Sequence, residues 1–228
     1  MPVKIIALMC GKPQELAQSG HKSSIHKTII DEPLTINKTG FILDEQADLE
    51  NHGGPEKAIH HYPFDHYDFW KNELENKPAC LNSPGAFGEN ISTLGMTEEN
   101  VCIGDIYQVN DCQLEVSQAR QPCWKLRHRF DNKKVARTLQ NKGYTGWYYR
   151  VLKTGTITAG DELQLISRPH PDWPLSQLLD ALYVDTLNLT KLQAMVDMTS
   201  LAESWKSIAR RRLEKLEVED WTERLEGN

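Results

Sequence analysis

The chain has none of the cysteine patterns that would staple it together or let it hold its own redox cluster. Its five cysteines, Cys10, Cys80, Cys102, Cys112 and Cys123, are odd in number, and no two stand in C-x-x-C spacing. That disfavours a disulfide framework, a zinc ribbon and a thioredoxin-like pair, and it excludes a self-held iron–sulfur cluster. No apolar run approaches the ~18 residues of a membrane-spanning helix. The apolar start, Met1 to Cys10, alternates like a strand and is too short for a signal peptide. Gly-Lys-Ser/Thr does not occur, and Gly85 and Gly88 lack the third glycine and the strand-to-helix setting of a dinucleotide fingerprint. Cationic excess is also missing. With 26 Lys+Arg against 32 Asp+Glu the net charge is −6, which argues against nucleic acid as the main partner. What remains is a globular chain of 228 residues, expected in the cytoplasm with no membrane partner. It is long enough to bury a core without disulfides or a structural metal.

Residues 1–168 read as mainly β. Short apolar runs recur at 4–9, 101–109, 113–117 and 162–167, separated by turn residues at Asn110-Asp111 and between Gly155 and Gly160. Several short strands with varied connections fit a closed or nearly closed β-barrel. Two helices interrupt it, over 63–74, where Phe64, Tyr67, Trp70 and Leu74 share a face, and over 131–142. Pro169, Pro171 and Pro174 then end any ladder and mark a linker. Residues 169–228 read as a small α-helical domain. Leu175, Leu178, Leu179, Leu182 and Tyr183 form one stripe, Asn188 breaks the pattern, and a second helix covers 190–198. Ser200 and Glu203 have capping-box spacing ahead of a third helix carrying Leu201, Trp205, Ile208, Leu213 and Leu216. Arg210-Arg211-Arg212 reads as a solvated face. Three such helices have too little core alone, so they should pack on the barrel or on a second subunit, which leaves a homodimer open.

Three segments hold polar residues that a plain barrel does not need. In His52-Gly53-Gly54-Pro55 the glycine pair permits a tight turn able to approach an anion, or simply closes a loop. His52, His60, His61 and His66 lack the spacing of a zinc site, and neighbours His60 and His61 must face opposite sides of a strand. In Gly85-Ala86-Phe87-Gly88-Glu89-Asn90 a glycine-bounded turn either presents Glu89 and Asn90 to a heterocycle edge or only joins two strands. In Arg120-Gln121-Pro122-Cys123-Trp124-Lys125 the proline sets the chain direction, and Cys123 follows among Arg120, Lys125, Arg127 and Arg129. Cations favour the thiolate, the form that binds metals and attacks electrophiles, and they can also hold a phosphate. The chemistry alone does not say which kind of functional cysteine this is.

Taken together, the segments resemble the MOSC family, the molybdenum cofactor sulfurase C-terminal fold, in its YiiM-like branch. The resemblance runs through His52-Gly53-Gly54-Pro55, Gly85 to Asn90, Arg120 to Leu126, Gly146-Trp147-Tyr148-Tyr149-Arg150-Val151 and Gly160-Asp161. The C-terminal helices resemble that branch's three-helix extension. Two positions depart from the family pattern: Ala119 stands where proline is common, and Leu43-Asp44 where Gly-Asp is usual.

The resemblance implies a molybdenum cofactor (molybdopterin) with Cys123 as the metal ligand and catalytic residue, and Arg120 and Lys125 toward the pterin phosphate. It places His52, Gly88, Glu89 and Asn90 in the cofactor pocket. The activity implied is two-electron reduction of small N-hydroxylated compounds such as hydroxylaminopurines, a detoxifying oxidoreductase. A separate flavin-type reductase would donate electrons, since the chain has no cluster motif. Two alternatives stand beside it: a sulfur carrier or sulfurtransferase using a Cys123 persulfide, and a non-catalytic cofactor-binding protein.

Overall fold

The computed structural model describes residues 1–16 and 19–227, with backbone alone at 50 and 51. Among the described residues seven strands close a barrel: β1 (Val3–Gly11), β2 (Ile59–His61), β3 (Ile91–Thr93), β4 (Ile106–Val109), β5 (Cys112–Ala119), β6 (Trp147–Lys153) and β7 (Glu162–Ser167). The order around it is β7-β4-β5-β6-β2-β3-β1, and β1 closes back on β7 through Val3↔Leu163. Neighbours are antiparallel except β2 and β3, which run parallel at His61↔Ile91. The mainly β architecture followed by helices is as the sequence pattern implies.

Strand periodicity fills the barrel. In β5 Cys112, Leu114 and Val116 point inward while Gln113 and Glu115 are half-exposed, and burial becomes continuous from Val116 to Ala119. There the helical region covers the outer face, and the Ala202 N–H donates to Ser117 O at 2.9 Å. Asn110, at φ 49°, makes the tight β4–β5 turn in a conformation that Asn tolerates better than most residues.

The helices among the described residues are α1 (Leu49–His52), α2 (Tyr67–Glu73), α3 (Leu126–Phe130), α4 (Val135–Lys142), α5 (Leu175–Tyr183), α6 (Leu189–Asp197), α7 (Glu203–Lys215) and α8 (Thr222–Glu226). None is long and apolar enough to cross a membrane. The leucine stripe of α5 joins Val116, Trp147 and Tyr149 in one hydrophobic core, so the helices pack on the barrel.

Several sequence expectations are corrected. The strand over 101–109 begins only at Ile106. Buried Asp105 accepts from the Cys102 N–H, the Tyr107 hydroxyl and the Arg168 guanidinium, so 101–105 is tied to the proline linker instead of a strand. Gly155–Ile157 is a short strand on Leu34–Asn37, not a turn. The helix over 131–142 starts at Val135, because Asp131 at φ 48° closes α3. Asn188 does cap α6, its side chain accepting from the Lys191 N–H. The Ser200 capping box does not form: Ala202 precedes α7, and Ser200 packs against Gly104 instead. Arg212 is no solvated residue. It is fully buried, donates to Leu182 O at 2.9 Å, and forks onto Glu219 at 2.8 and 3.0 Å. Leu216, at φ 54°, ends α7 and is exposed instead of lying on its apolar stripe.

Candidate active site

β5 ends at Ala119, paired with Trp147. The next residue still bonds the sheet, Arg120 N–H to Gly146 O at 2.9 Å, and Pro122 then turns the chain. Cys123 sits on that turn, half-buried, ahead of α3. From the opposite side α1 ends at His52, and Gly54, at φ 91°, supplies the left-handed step into the turn Pro55–Lys57.

This turn brings His52 Nε2 to 3.5 Å from Cys123 Sγ, while His52 Nδ1 lies 3.1 Å from Asp48 Oδ2. A carboxylate only accepts, so Nδ1 carries a proton, and Nε2 faces the sulfur, able to accept the thiol proton and then donate to the thiolate as a charged imidazolium. Lys125 Nζ reaches the same Asp48 oxygen at 3.3 Å. Burial acts to raise the Cys123 pKa, but it is outweighed. The His52 hydrogen bond and charge, the Arg120 guanidinium and the Lys125 N–H bring it down to about 7. Burial pushes the other four thiols up, Cys10 to about 12 and Cys112 to about 11. Cys123 is therefore the thiol poised to ionise near neutral pH.

Cys123 opens into a cleft lined by Lys27, Lys57, Arg120 and Lys125, with Asp48 the carboxylate among its lining residues. A chain of net charge −6 thus concentrates positive charge at one place. Burial lowers the Lys57 pKa, opposed by Asp48 and Cys123. His60 is held well below its usual range by burial and then by Arg120, so it is neutral. Three of the lining residues, Ser24, His60 and Arg120, carry a buried side-chain atom without a hydrogen-bond partner: Oγ, Nε2 and Nη1 respectively. Buried polar atoms are nearly always paired, so three orphans in one cleft mark a place built for a polar ligand.

The structure brings Cys123, His52, Arg120, Lys125, Gly88 and Asn90 to this cleft. It does not bring Glu89. That carboxylate is fully buried and turned back into its own loop, accepting from the Gly85 N–H at 2.7 Å, the Phe87 N–H at 3.0 Å and the Tyr67 hydroxyl. Asn90 lines the cleft with its amide already engaged, accepting from the His60 N–H and donating to Met9 O and Asp44 Oδ2. Asp44 also accepts from the Gly11 N–H at 2.7 Å and from Lys27 Nζ, so the acidic half of the usual Gly-Asp step ties β1 to the cleft wall. Arg127 and Arg129 turn away from the sulfur, to Glu226 O and to His26 Nδ1.

The histidines divide as strand parity requires. His60 faces the cleft, while His61 lies in the barrel core between the Tyr149 hydroxyl and Thr93 Oγ1. His66 pairs with buried Glu98 at 2.7 Å. Among the described residues no three His, Cys, Asp or Glu groups converge as a metal cage. Sequence reasoning missed Tyr148, His60, Lys57, Ser24 and Asp48. Alternation could have found Tyr148, which sits between inward Trp147 and Tyr149. Ser24 and Asp48 carry no local signal.

Residues 48–164 match the MOSC domain, and residues 173–216 match the YiiM-like 3-alpha helix domain. YflK of Bacillus subtilis is 39% identical over 93% of this chain and 95% of its own length. A protein named reductase from Gibberella moniliformis is 37% identical over 93% of this chain, which spans 38% of that longer protein. YiiM of Escherichia coli is 35% identical over 91% of this chain and 92% of its own length. Its crystal structure superposes with a TM-score of 0.83 over 99% of this chain and 98% of that one. The match to these relatives spans almost the whole chain, and the protein belongs to the MOSC family, in its branch with a YiiM-like three-helix domain.

Proposed function

We propose that this chain is a molybdenum-cofactor-dependent oxidoreductase that reduces small N-hydroxylated compounds, hydroxylaminopurines among them, with Cys123 as the metal ligand. The observation that carries the reading is a half-buried thiol, lowered to about 7, in a cationic cleft holding three unpartnered buried polar atoms. The reductase-named relative supports the reaction class.

The donor set suits the group. A thiolate is a soft ligand for a metal already bound by dithiolene sulfurs. Arg120 and Lys125 are placed to hold a phosphate, with Lys27 and Lys57 adding to the field. Ser24 Oγ would meet a heterocycle edge, with His60, Gly88 and Asn90 among the residues of the wall. His52, oriented by Asp48, favours the ionised form of the Cys123 sulfur. The bound cofactor would supply two-electron redox chemistry. Electrons would come from a separate flavin-type reductase, because the cysteine spacing offers no cluster.

The test is metal analysis by mass spectrometry on protein expressed with cofactor synthesis, followed by turnover of a hydroxylaminopurine with an added flavin reductase. Near-stoichiometric molybdenum with turnover is expected. Molybdenum without turnover would identify a cofactor carrier instead. A second reading has one observation in its favour: Cys123, His52 and Asp48 form the relay of a nucleophilic cysteine. A sulfur carrier of this kind would show cyanide-labile sulfur on Cys123 and no molybdenum.

Arg120 supplies a further check. Its Nη1 is buried and unpartnered although the guanidinium also meets the Tyr148 hydroxyl, so Arg120→Met gives up one contact together with one orphaned donor and should leave apoprotein stability within about 1 kcal/mol of wild type. Molybdenum retention should fall about tenfold or more, the scale of losing one charge-assisted contact of ~1.5–3 kcal/mol. Thermal melting beside metal content reads both signs, and parallel loss of the two would show Arg120 to be structural.

A further inference from the structure

The family match ends at residue 216, yet the chain continues across the outside of the Cys123 loop. Leu225, buried in the second core cluster with Leu126, Phe130 and Leu139, anchors α8 beside α3 and α4. Arg224 then meets both neighbours of Cys123. Its guanidinium donates to Pro122 O at 2.5 Å, and its carbonyl accepts the Trp124 N–H at 2.8 Å. The other arm of the guanidinium donates to Gln140 Oε1 at 2.7 Å, and the group lies 5.7 Å from the Tyr183 ring centre.

The rest of the segment is tied as firmly. Glu219 takes the fork of buried Arg212 and accepts from Trp221 Nε1 at 3.0 Å, and Trp221 packs edge-on against Tyr183 at 5.3 Å. Arg127 donates to Glu226 O at 2.6 Å. Gly227, at φ 75°, lies against the Trp124 ring, where an added Cβ would sit 3.1 Å from the indole.

We propose that residues 217–227 are a strap that holds the Cys123 loop in its working geometry, with Arg224 as the positioning residue. The cysteine itself bonds His52 on the cleft side, so the loop is gripped from both faces: Arg224 fixes the residues before and after, and His52 meets the sulfur between them. Arg224 does not touch the cleft. It acts through the backbone, and its planar fork reaches two separate acceptors that a single ammonium cannot span together. The site concerned is the one assigned above, so the functional consequence rests on that assignment, whereas the loop geometry does not.

The test uses full-length Arg224→Ala and Arg224→Lys, with Arg137→Ala as control. Arg137 of α4 pairs with the exposed Glu226 of α8, and among the described residues no hydrogen bond or ion pair joins it to the Cys123 loop. Hydrogen exchange of a peptide covering 121–126 is expected to speed up about tenfold or more in both Arg224 variants and not in the control, as for a segment that now opens locally. Molybdenum content should fall in parallel, and for the fraction still loaded kcat should drop at unchanged KM, with lysine giving no rescue. Wild-type protection of 121–126 in Arg224→Ala overturns the strap. So does full rescue by lysine, which would make charge the agent. Lost protection with wild-type metal content and kcat would also overturn it. A wild-type protein without molybdenum would instead count against the functional assignment, and the exchange measurement would still decide the strap.

Discussion

Cys123→Ala is expected to leave the protein folded and to empty its site. Bound molybdenum should fall to background, and reduction of a hydroxylaminopurine should drop by more than about 100-fold, since loss of even an outer partner of a metal ligand costs 10–100-fold. Folding should hardly register the change. Cys123 belongs to neither hydrophobic cluster and is half-exposed, so the unfolding free energy should move by about 1 kcal/mol or less. Cys123→Ser separates ligand chemistry from shape. It keeps the volume and a hydrogen-bonding group for His52 but offers a hard oxygen where a soft donor is required, and so should fail like alanine. Metal content, turnover and urea unfolding on the three proteins together decide the matter. Full activity in Cys123→Ala would remove the sulfur from the mechanism.

How much of this site the sequence carries can be seen residue by residue. Cys123 and Arg120 lie on one turn, so their association is local and legible. His52 could be placed near them only through the family resemblance, because 71 residues separate it from Cys123 and the barrel brings the two together. The four cations next to the cysteine in sequence were a mixed guide. A helix begins just after Cys123, and its turn rotates Arg127 and Arg129 off the sulfur. Of the lysines that do line the cleft, Lys57 lies two residues past the His52-Gly53-Gly54-Pro55 turn, while Lys27 comes from a distant segment with no motif of its own.

The fold shows the same division. Period-two and helical patterns located β1, β5, α2 and α5, each of which alternates between buried and more exposed residues over at least part of its length. They misplaced Arg212, whose neighbours Arg210 and Arg211 suggested an all-solvent face. Nothing in the run reveals that Glu219, seven residues on, folds back to pair with it, or that the carbonyls at the end of α5 await a donor. Capping failed at Ser200 for a related reason. Tertiary partners there, Ser117 O for the Ala202 N–H and the Arg150 guanidinium on Ser200 O, hold the chain in place of a local cap. Local rules held where elements were autonomous and yielded where long-range polar contacts competed for the same groups.

Glu89 turns that competition into a large expected effect on stability. The motif around it suggests a side chain facing a ligand, yet both carboxylate oxygens are consumed inside the turn: Oε1 by the Gly85 N–H and the Tyr67 hydroxyl, Oε2 by the Phe87 N–H. Burial raises its pKa, and these three donors oppose the shift. Glu89→Gln, near-identical in shape, offers one acceptor and one NH₂ group. Whichever way the amide is flipped, a donor then faces the buried Gly85 or Phe87 N–H. The expected cost is about 3 kcal/mol, from a lost charge-assisted hydrogen bond of ~1.5–3 kcal/mol and a buried N–H left unpaired at ~1–3 kcal/mol, less the relief of an unfavourable buried charge, against a typical total of about 5–15 kcal/mol. Tyr67→Phe removes the hydroxyl that donates to Glu89 and accepts the Ala86 N–H, and should cost about 2 kcal/mol. In urea unfolding the midpoint should fall in that order with the slope unchanged. Metal content at a temperature where both variants are folded should also fall in Glu89→Gln, because Gly88 and Asn90 flank Glu89 and line the cleft. A Glu89→Gln protein within about 0.5 kcal/mol of wild type, the range of an ordinary surface change, would mean that the turn is held by its glycines and not by this carboxylate.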